Sequence, residues 1–400
     1  MTTVAIPPAI DDAAALGRLV DALDGAHEGA RYIGGWVRDT LLGLDPQDID
    51  VATRFAPQDA EARAKAAGLA TWSTPSGIAH GTIGVIVGGK TIEVTTLRRD
   101  VATDGRHATV TFTEDWREDA ARRDFTINAL SADPLTGVVY DYFGGLGDLA
   151  AGRVRFIGDP AQRIAEDHLR ILRFFRFFAR FGRGAPDPES YAACVLRAKD
   201  LMALSRERIA TELLKLLAVP DPVATVAAML AGGLFAPVLP EIVETGRLAA
   251  LVANEAAAAI PPDSVRRLAA LLPASAEVAD GVGGRLRLSK AERKRLVLAT
   301  GPAAGSPHAL AYEIGTESAV DRLLLHSAAD SARMILAWPR PRFPLTGGDL
   351  IAMGLTAGPI VAATLRMIEQ RWVAAGFVDA TALARAEVAT ALGARESRSP

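Results

Sequence analysis

The sequence predicts an α+β fold: an N-terminal part built on a mixed sheet with helices, followed by an all-α remainder. Three observations predict it. Strand-like and helical runs alternate up to about residue 148, and helical periodicity alone runs on from about residue 150. Residues 33–53 read as strand, tight glycine turn, short helix, loop and second strand. Half of the 400 residues are apolar, enough for a large core shared among two to four domains.

In chain order, residues 10–25 repeat Ala, Leu and acids with helical period and open the chain as a helix. At Gly34 and Gly35 no Cβ keeps a ligand from the backbone. The next helix points its free N–H groups at that turn, which suits a phosphate, and Arg38 adds a fixed charge. Gly43 is placed to stop this helix. Asp48 and Asp50 stand two apart on a β-prone run, so both carboxylates face one side. Side by side they repel unless a cation sits between them, and a hard divalent ion satisfies such oxygens.

Residues 58–69 read as a helix, and 82–87 and 91–95 as strands around the Gly88-Gly89 turn. Glu93 faces away from Ile92 and Val94, toward the face of the two aspartates. The charged stretch 98–107 has little periodicity and reads as a mobile loop. Asp119 is a candidate N-cap for a helix over 120–131 that carries Arg122, Arg123 and Asn128. Residues 141–148 then make a turn between strand and helix. The stretch 162–181 reads as one helix with Ile171, Phe174, Phe175 and Phe178 on an apolar face. On that helix Asp167 and Arg170 can pair across adjacent turns. Ser205, Arg208 and Glu212 read as a capped, ion-paired helix start with a structural role. Further on, Arg285, Arg287, Lys290, Arg293, Lys294 and Arg295 cluster around Ser289, a candidate helix cap, and Arg340 and Arg342 sit in a Pro-rich loop. Trp338 and Trp372 are candidate core or clamp residues.

The bulk numbers exclude several classes. No apolar run approaches the ~20 residues of a membrane span. No basic region followed by an apolar segment opens the sequence, so a secretory signal is not expected. One cysteine, Cys194, cannot form an internal disulfide and fits a reducing cytoplasm. None of the six histidines pairs at a metal-ligand spacing, which argues against a zinc site. The net charge of −3 does not advertise nucleic-acid binding, so such a partner needs a local basic surface.

Five motifs, in order, resemble those of the tRNA nucleotidyltransferase and bacterial poly(A) polymerase family, the class II branch of the polymerase-β-like nucleotidyltransferases. They are the Gly34–Asp50 stretch, with Glu93 as a third carboxylate; Arg-Arg-Asp-Phe-Thr-x-Asn-Ala from Arg122; Asp141 to Gly145; Glu-Asp-x-x-Arg from Glu166; and Ser205 to Leu213. The resemblance implies a polymerase-β-like nucleotidyltransferase head at 1–148, a neck that reads the nucleobase at 149–218, a body at 219–310 and a tRNA-holding tail at 311–400. It implies addition of C, C and A to the 3′ end of tRNA from CTP and ATP, with release of pyrophosphate. Asp48 and Asp50 would hold Mg²⁺ (two ions expected, Mn²⁺ the alternative), and Glu93 would support them. Gly34, Gly35 and Arg38 would hold the triphosphate, and Arg122, Arg123 and Asn128 would orient ribose and phosphate. Asp167 and Arg170 would choose the base. Arg173 and Arg176 would add to the nucleotide site, Arg176 more as a packing or phosphate contact, since an ideal helix turns it half round from Asp167. The basic residues at 285–295 and 340–342 would meet the RNA backbone. No protein partner and no membrane are implied, and the compartment is the cytoplasm.

Two rivals share this head. A poly(A) polymerase carries an Arg-Arg-Phe-type signature after the metal strand, and residues 76–82 show Ser-Gly-Ile-Ala-His-Gly-Thr in its place. An enzyme adding only CC or only A is the other, and the intact 98–107 stretch argues against CC alone. A catalytically dead RNA-binding module would have lost Asp48 or Asp50, and both are present.

Overall fold

The computed structural model describes residues 2–6, 12–46, 48–103 and 108–396. The chain divides into two compact units, Met1–Leu216 with Ala231–Val238, and Leu217–Leu230 with Leu239–Pro400.

The first unit begins with α1 (Ala13–Ala22), capped by the Asp12 carboxylate on the Ala15 amide at 2.8 Å; residues 10 and 11 of the expected opening helix lie outside the described residues. Then come β1 (Ala30–Ile33), α2 (Gly35–Leu41), β2 (Asp50–Thr53), α3 (Pro57–Ala66), β3 (Thr71–Trp72), α4 (Pro75–Ala79), β4 (Thr82–Val87) and β5 (Lys90–Thr96). With β8 (Ser131–Ala132) and β9 (Val139–Tyr140) the strands form one sheet in the order β3-β4-β5-β2-β1-β8-β9. Only β2 and β5 pair in parallel, so the sheet is mixed as expected. Register fixes which face does what. Val51, Val94 and Ile83 are cross-strand partners and all are buried. Their neighbours Asp50, Glu93 and Gly84 are likewise partners on the opposite face.

Three sequence expectations need correction here. The 98–107 stretch is not an irregular loop: β6 (Arg98–Thr103) and β7 (Ala108–Phe112) pair as an antiparallel hairpin, and its residues 104–107 lie outside the described residues. The helix expected over 120–131 is displaced. Instead α5 (Trp116–Ala121) starts at Asp115, whose carboxylate accepts from the Arg117 amide at 2.8 Å. Asp119 caps nothing; it is buried inside α5, where Arg122 and Arg123 claim its carboxylate, and only a 3₁₀ turn, Thr126–Asn128, follows. The third concerns 162–181, which is two helices. After α6 (Gly145–Ala151), α7 (Pro160–Glu166) ends where Asp167 turns extended (φ −151°, ψ 108°), and α8 (Arg170–Phe181) starts afresh.

The apolar face read for α8 holds: Ile171, Phe174, Phe175 and Phe178 are all buried. Phe125 bridges to the helical part, its ring 5.0 Å from Phe156 and 5.3 Å from Phe177. The unit continues through α9 (Pro188–Leu196) and α10 (Arg206–Leu217), whose start is capped by Ser205 accepting from the Arg208 amide at 3.4 Å.

The second unit is helical throughout its described residues, from α11 (Val223–Ala231), through α12 (Gly246–Ala258), α13 (Ser264–Leu271), α14 (Ala276–Arg285), α15 (Lys290–Ala299), α16 (Pro307–Ile314), α17 (Thr316–Leu325), α18 (Ala329–Leu336), α19 (Gly347–Ala352) and α20 (Pro359–Ala374), to α21 (Ala380–Glu396). A buried ion cluster knits it: Glu255 takes Arg266 at 3.0 Å and Arg267 at 2.8 Å, and Arg267 also donates to the carbonyls of Leu217, Val219 and Pro220. Trp372 is core, packed on Tyr312, Phe343 and Phe377, while Trp338 is half-buried against Phe377 and His308.

Candidate nucleotide site

In the first unit an open cleft of about 700 Å³ gathers Gly34, Gly35, Arg38, Asp48, Asp50, Arg123, Asn128, Asp167, Arg170, Arg173 and Arg176, with Asp124 and Phe177. Residues separated by up to 143 positions in sequence, Gly34 to Phe177, thus share one wall, and most of them were legible as candidates.

The turn after β1 is built for close approach. Gly34 has φ +63°, which favours glycine, and a Cβ there would crowd the Arg123 guanidinium at 3.0 Å. Its amide donates to the Leu130 carbonyl at 3.0 Å, which pins the turn beside β8. Arg38 is buried rather than projecting to solvent. Its Nη1 donates to Asn128 Oδ1 at 2.5 Å, its Nε to Asp39 at 2.8 Å, and its guanidinium lies 4.2 Å from the Phe181 ring. Burial lowers its pKa, and Asp39 opposes that.

Asn128 is oriented from its other end, because its Nδ2 donates to Asp124 at 2.9 Å. Asp124 is the residue that sequence reasoning missed: it was visible within the Arg-Arg-Asp motif but carried no assigned role. It also takes a two-pronged contact from Arg173, at 2.8 and 2.5 Å. Burial works to raise its pKa, yet Arg173, Asn128 and the Phe125 amide hold it below the ordinary value. Arg38, Asn128, Asp124 and Arg173 therefore form one chain of contacts from the glycine turn to α8.

Asp50 opens β2, half-buried, and Asp48 precedes it exposed in the same cleft. Burial pushes the Asp50 carboxyl up, Glu93 and Asp48 push the same way, and Arg123 opposes them. This is the penalty a divalent cation would remove, and the donors are the hard oxygens such an ion prefers. Glu93 is the register partner of Asp50 on β5 but lies outside the cleft lining. Among the described residues no group of three or more His, Cys, Asp or Glu side chains is drawn together for a metal. The two carboxylates would supply part of the donor set of such an ion.

Arg122 does not reach the cleft: its Nε donates to Asp119 at 2.8 Å. Arg123 does, held by Asp119 at 3.1 Å and donating to the Asn128 carbonyl at 3.3 Å.

The expected pairing of Asp167 with Arg170 does not form. Because the helix breaks at Asp167, the two sit on different elements. Arg208 from α10 instead grips both Asp167 oxygens, at 3.1 and 3.0 Å. Arg170 donates to Glu166 at 2.5 Å, and Glu166 also takes Arg163 at 2.5 Å. Arg176 lines the cleft, contrary to the half-turn argument, since the break resets the helical phase; its Nε meets Glu212 at 2.6 Å. Both partners from α10, Arg208 and Glu212, thus brace the wall.

In the second unit the basic stretch divides. Arg285 is engaged by Glu241 and Arg293 by Asp280. Arg295 is half-buried among Asp263, Glu317 and Asp321, so it is structural and not available to RNA. Arg287, Lys290 and Lys294 are exposed, with Ser289 capping α15 in a reciprocal capping box with Glu292. Arg340 is exposed but its guanidinium stacks 4.8 Å from the Tyr312 ring, and Arg342 is exposed. No described helix is long and apolar enough to cross a membrane.

Residues 30–155 match the Poly A polymerase head domain, and residues 185–245 match the probable RNA and SrmB-binding site of polymerase A. The mitochondrial CCA tRNA nucleotidyltransferase 1 of Homo sapiens is 34% identical over 374 residues, covering 88% of this chain and 84% of the relative. A CCA-adding enzyme of Lacticaseibacillus paracasei is 31% identical over 385 residues, covering 89% and 91%. The crystal structure of a Bacillus stearothermophilus CCA-adding enzyme in complex with CTP superposes with TM-score 0.75 at 26% identity, over 96% of this chain and 99% of that one. This chain belongs to the family of CCA-adding tRNA nucleotidyltransferases.

Proposed function

We infer that this protein adds C, C and A to the 3′ end of tRNA, using CTP and ATP and releasing pyrophosphate. The observation that carries the reading is the coincidence of family membership over most of the chain with one cleft that joins the glycine turn, two aspartates and the braced arginines. The reaction forms a bond from the tRNA 3′-hydroxyl oxygen to the α-phosphorus. It breaks the bond between that phosphorus and the oxygen bridging to the β-phosphate, and the hydroxyl proton passes to solvent.

Gly35 and the first turn of α2 present N–H groups to the triphosphate, Gly34 keeps the approach free of a side chain, and Arg38 and Arg123 supply charge. Asn128, held rigid between Arg38 and Asp124, is placed to donate to or accept from a sugar hydroxyl. Mg²⁺ held by Asp48 and Asp50, with Glu93 alongside, would neutralise developing charge and lower the pKa of the attacking hydroxyl. Asp167, fixed by Arg208, and Arg170, fixed by Glu166, offer an acceptor and donors to a base edge. C presents an acceptor at N3 and a donor at N4, and A the same pair at N1 and N6. U and G present the reverse polarity.

The four-part division at 148, 218 and 310 belongs to this reading, as does a cytoplasmic setting, which rests on the lone, buried, free Cys194. Incubating tRNA that lacks its end with each NTP separately tests the function. Incorporation of CTP and then ATP, but not UTP or GTP, is expected. Long A tracts from ATP alone would make it a poly(A) polymerase. Asp48→Ala and Asp50→Ala should abolish addition while tRNA still binds; near-normal turnover in either removes the metal assignment.

A further inference from the structure

We propose that Trp72 is a stacking platform for the terminal base of the RNA strand being extended; this rests on the function inferred above. Trp72 is 49% exposed, whereas Trp36, Trp116 and Trp372 are buried and Trp338 half-buried.

Register places it. Trp72 on β3 pairs with Gly84 on β4, Gly84 with Glu93 on β5, and Glu93 with Asp50 on β2. Cross-strand partners point to the same face, so the indole shares the face of Glu93 and Asp50. The packing agrees, because a Cβ built on Gly84 would strike Nε1 and Cε2 of the indole. The ring therefore lies over Gly84, where only glycine leaves room for it. With strands about 5 Å apart, that puts the ring one strand from Glu93. The residues on either side are tied down: Thr71 donates to Glu61 at 3.2 Å and Ser73 to the same carboxylate at 3.5 Å.

The chemistry says what arrives there. In nucleotidyl transfer the attacking and leaving oxygens stand roughly in line across the phosphorus. The glycine turn, Arg38 and Asn128 follow or precede β1 and β8, on one side of β2 in the sheet order. If the pyrophosphate leaves toward them, the 3′-hydroxyl must come from the opposite side of β2, which is the side of β5, β4 and β3. A terminal nucleotide with its hydroxyl near Asp50 then has its base over Gly84 and against the indole. Stacking tolerates any base, as it must when the terminal residue changes with each addition.

The test uses the full-length protein. Initial rates with tRNA lacking its end are measured while acceptor and CTP are varied separately. Trp72→Ala should raise the acceptor KM about tenfold and leave the CTP KM within about twofold, and Trp72→Phe should keep most of the affinity. Gly84→Ala, which displaces the indole but retains it, should reproduce the acceptor defect. Independently, an RNA minihelix ending in the acceptor strand should quench the exposed tryptophan emission of the wild type, and Trp72→Phe should lose that quenching. An unchanged acceptor KM in folded Trp72→Ala, or quenching that persists in Trp72→Phe, overturns the proposal. If Trp72→Ala fails to fold, the Gly84→Ala kinetics and the quenching decide. A wild type that extends no tRNA would sink the function reading instead, and the minihelix quenching would still decide for or against RNA stacking at Trp72.

Discussion

Asp167 is held on both oxygens by Arg208, and that grip makes a residue outside the cleft lining responsible for the aim of one inside it. A carboxylate aimed at a base edge discriminates only if it cannot swing, because a misplaced group leaves a polar atom unpaired at a cost of ~1–3 kcal/mol. Arg208→Ala should therefore relax selection, raising UTP and GTP incorporation relative to CTP and ATP, as Asp167→Ala should. Single-nucleotide addition with all four NTPs measures it. Wild-type selectivity with only a slower rate would make both residues structural. Asp124 gives a pH prediction. Its folded pKa lies below the ordinary 3.8, so its stabilising effect is complete above that value and is lost as pH falls through the folded value. Asp124→Asn should cost about 3 kcal/mol at neutral pH, the low end for a broken buried pair because Arg173 keeps some exposure. The gap from wild type should narrow below pH ~3.8. Urea midpoints at about pH 7 and about pH 3 test this, and a pH-independent gap removes the ionic explanation.

Periodicity made the elements legible where one face is buried. The strands at 82–87 and 91–95 and the apolar face of α8 follow from alternation and from 3.6-residue spacing. The break at Asp167 was not legible, because Glu166 and Arg170 keep helical spacing across it and still pair, as α7 and α8 meet. The hairpin β6–β7 hid for another reason: Arg98, Arg99 and Asp100 in β6 interrupt any apolar alternation, and β7 lies beyond the charged stretch 98–107. Asp119 shows the limit of cap rules: a carboxylate before a helical run was read as its start, whereas three donors from Arg98, Arg122 and Arg123 fix it inside the preceding helix. Ser289 shows the rule succeeding, and α15 carries the test. Ser289→Ala removes one half of the capping box and should lower stability by about 1 kcal/mol, read from urea unfolding. A loss within about 0.2 kcal/mol would mean that packing alone sets that helix start.

At the scale of the whole molecule the question is how a chain of net charge −3 holds a polyanion. Most of its arginines are committed to carboxylates or carbonyls, and spacing in the sequence could not reveal those commitments. Arg285, Arg293 and Arg295 looked the same as Lys290 and Lys294 until the fold brought Glu241, Asp280 and Asp321 to them. Neutralising Arg295 would disturb the unit itself, since it joins α13 to α17 through Asp263 and Asp321, and a lost affinity there would not report on RNA. Lys290 and Lys294 are exposed on the first two turns of α15 and are the discriminating pair. Each phosphate contact contributes about 0.7–0.9 to the slope of log affinity against log salt, through released counterions. Lys290→Gln with Lys294→Gln should flatten the slope for tRNA by up to about 1.8, measured by anisotropy between about 50 and 200 mM salt. Single-nucleotide addition at saturating tRNA should stay at the wild-type rate, because both lysines lie outside the residues lining the cleft. An unchanged slope in the folded double variant takes α15 out of the RNA interface and leaves Arg287, Arg340 and Arg342 as the remaining exposed basic candidates named in this unit.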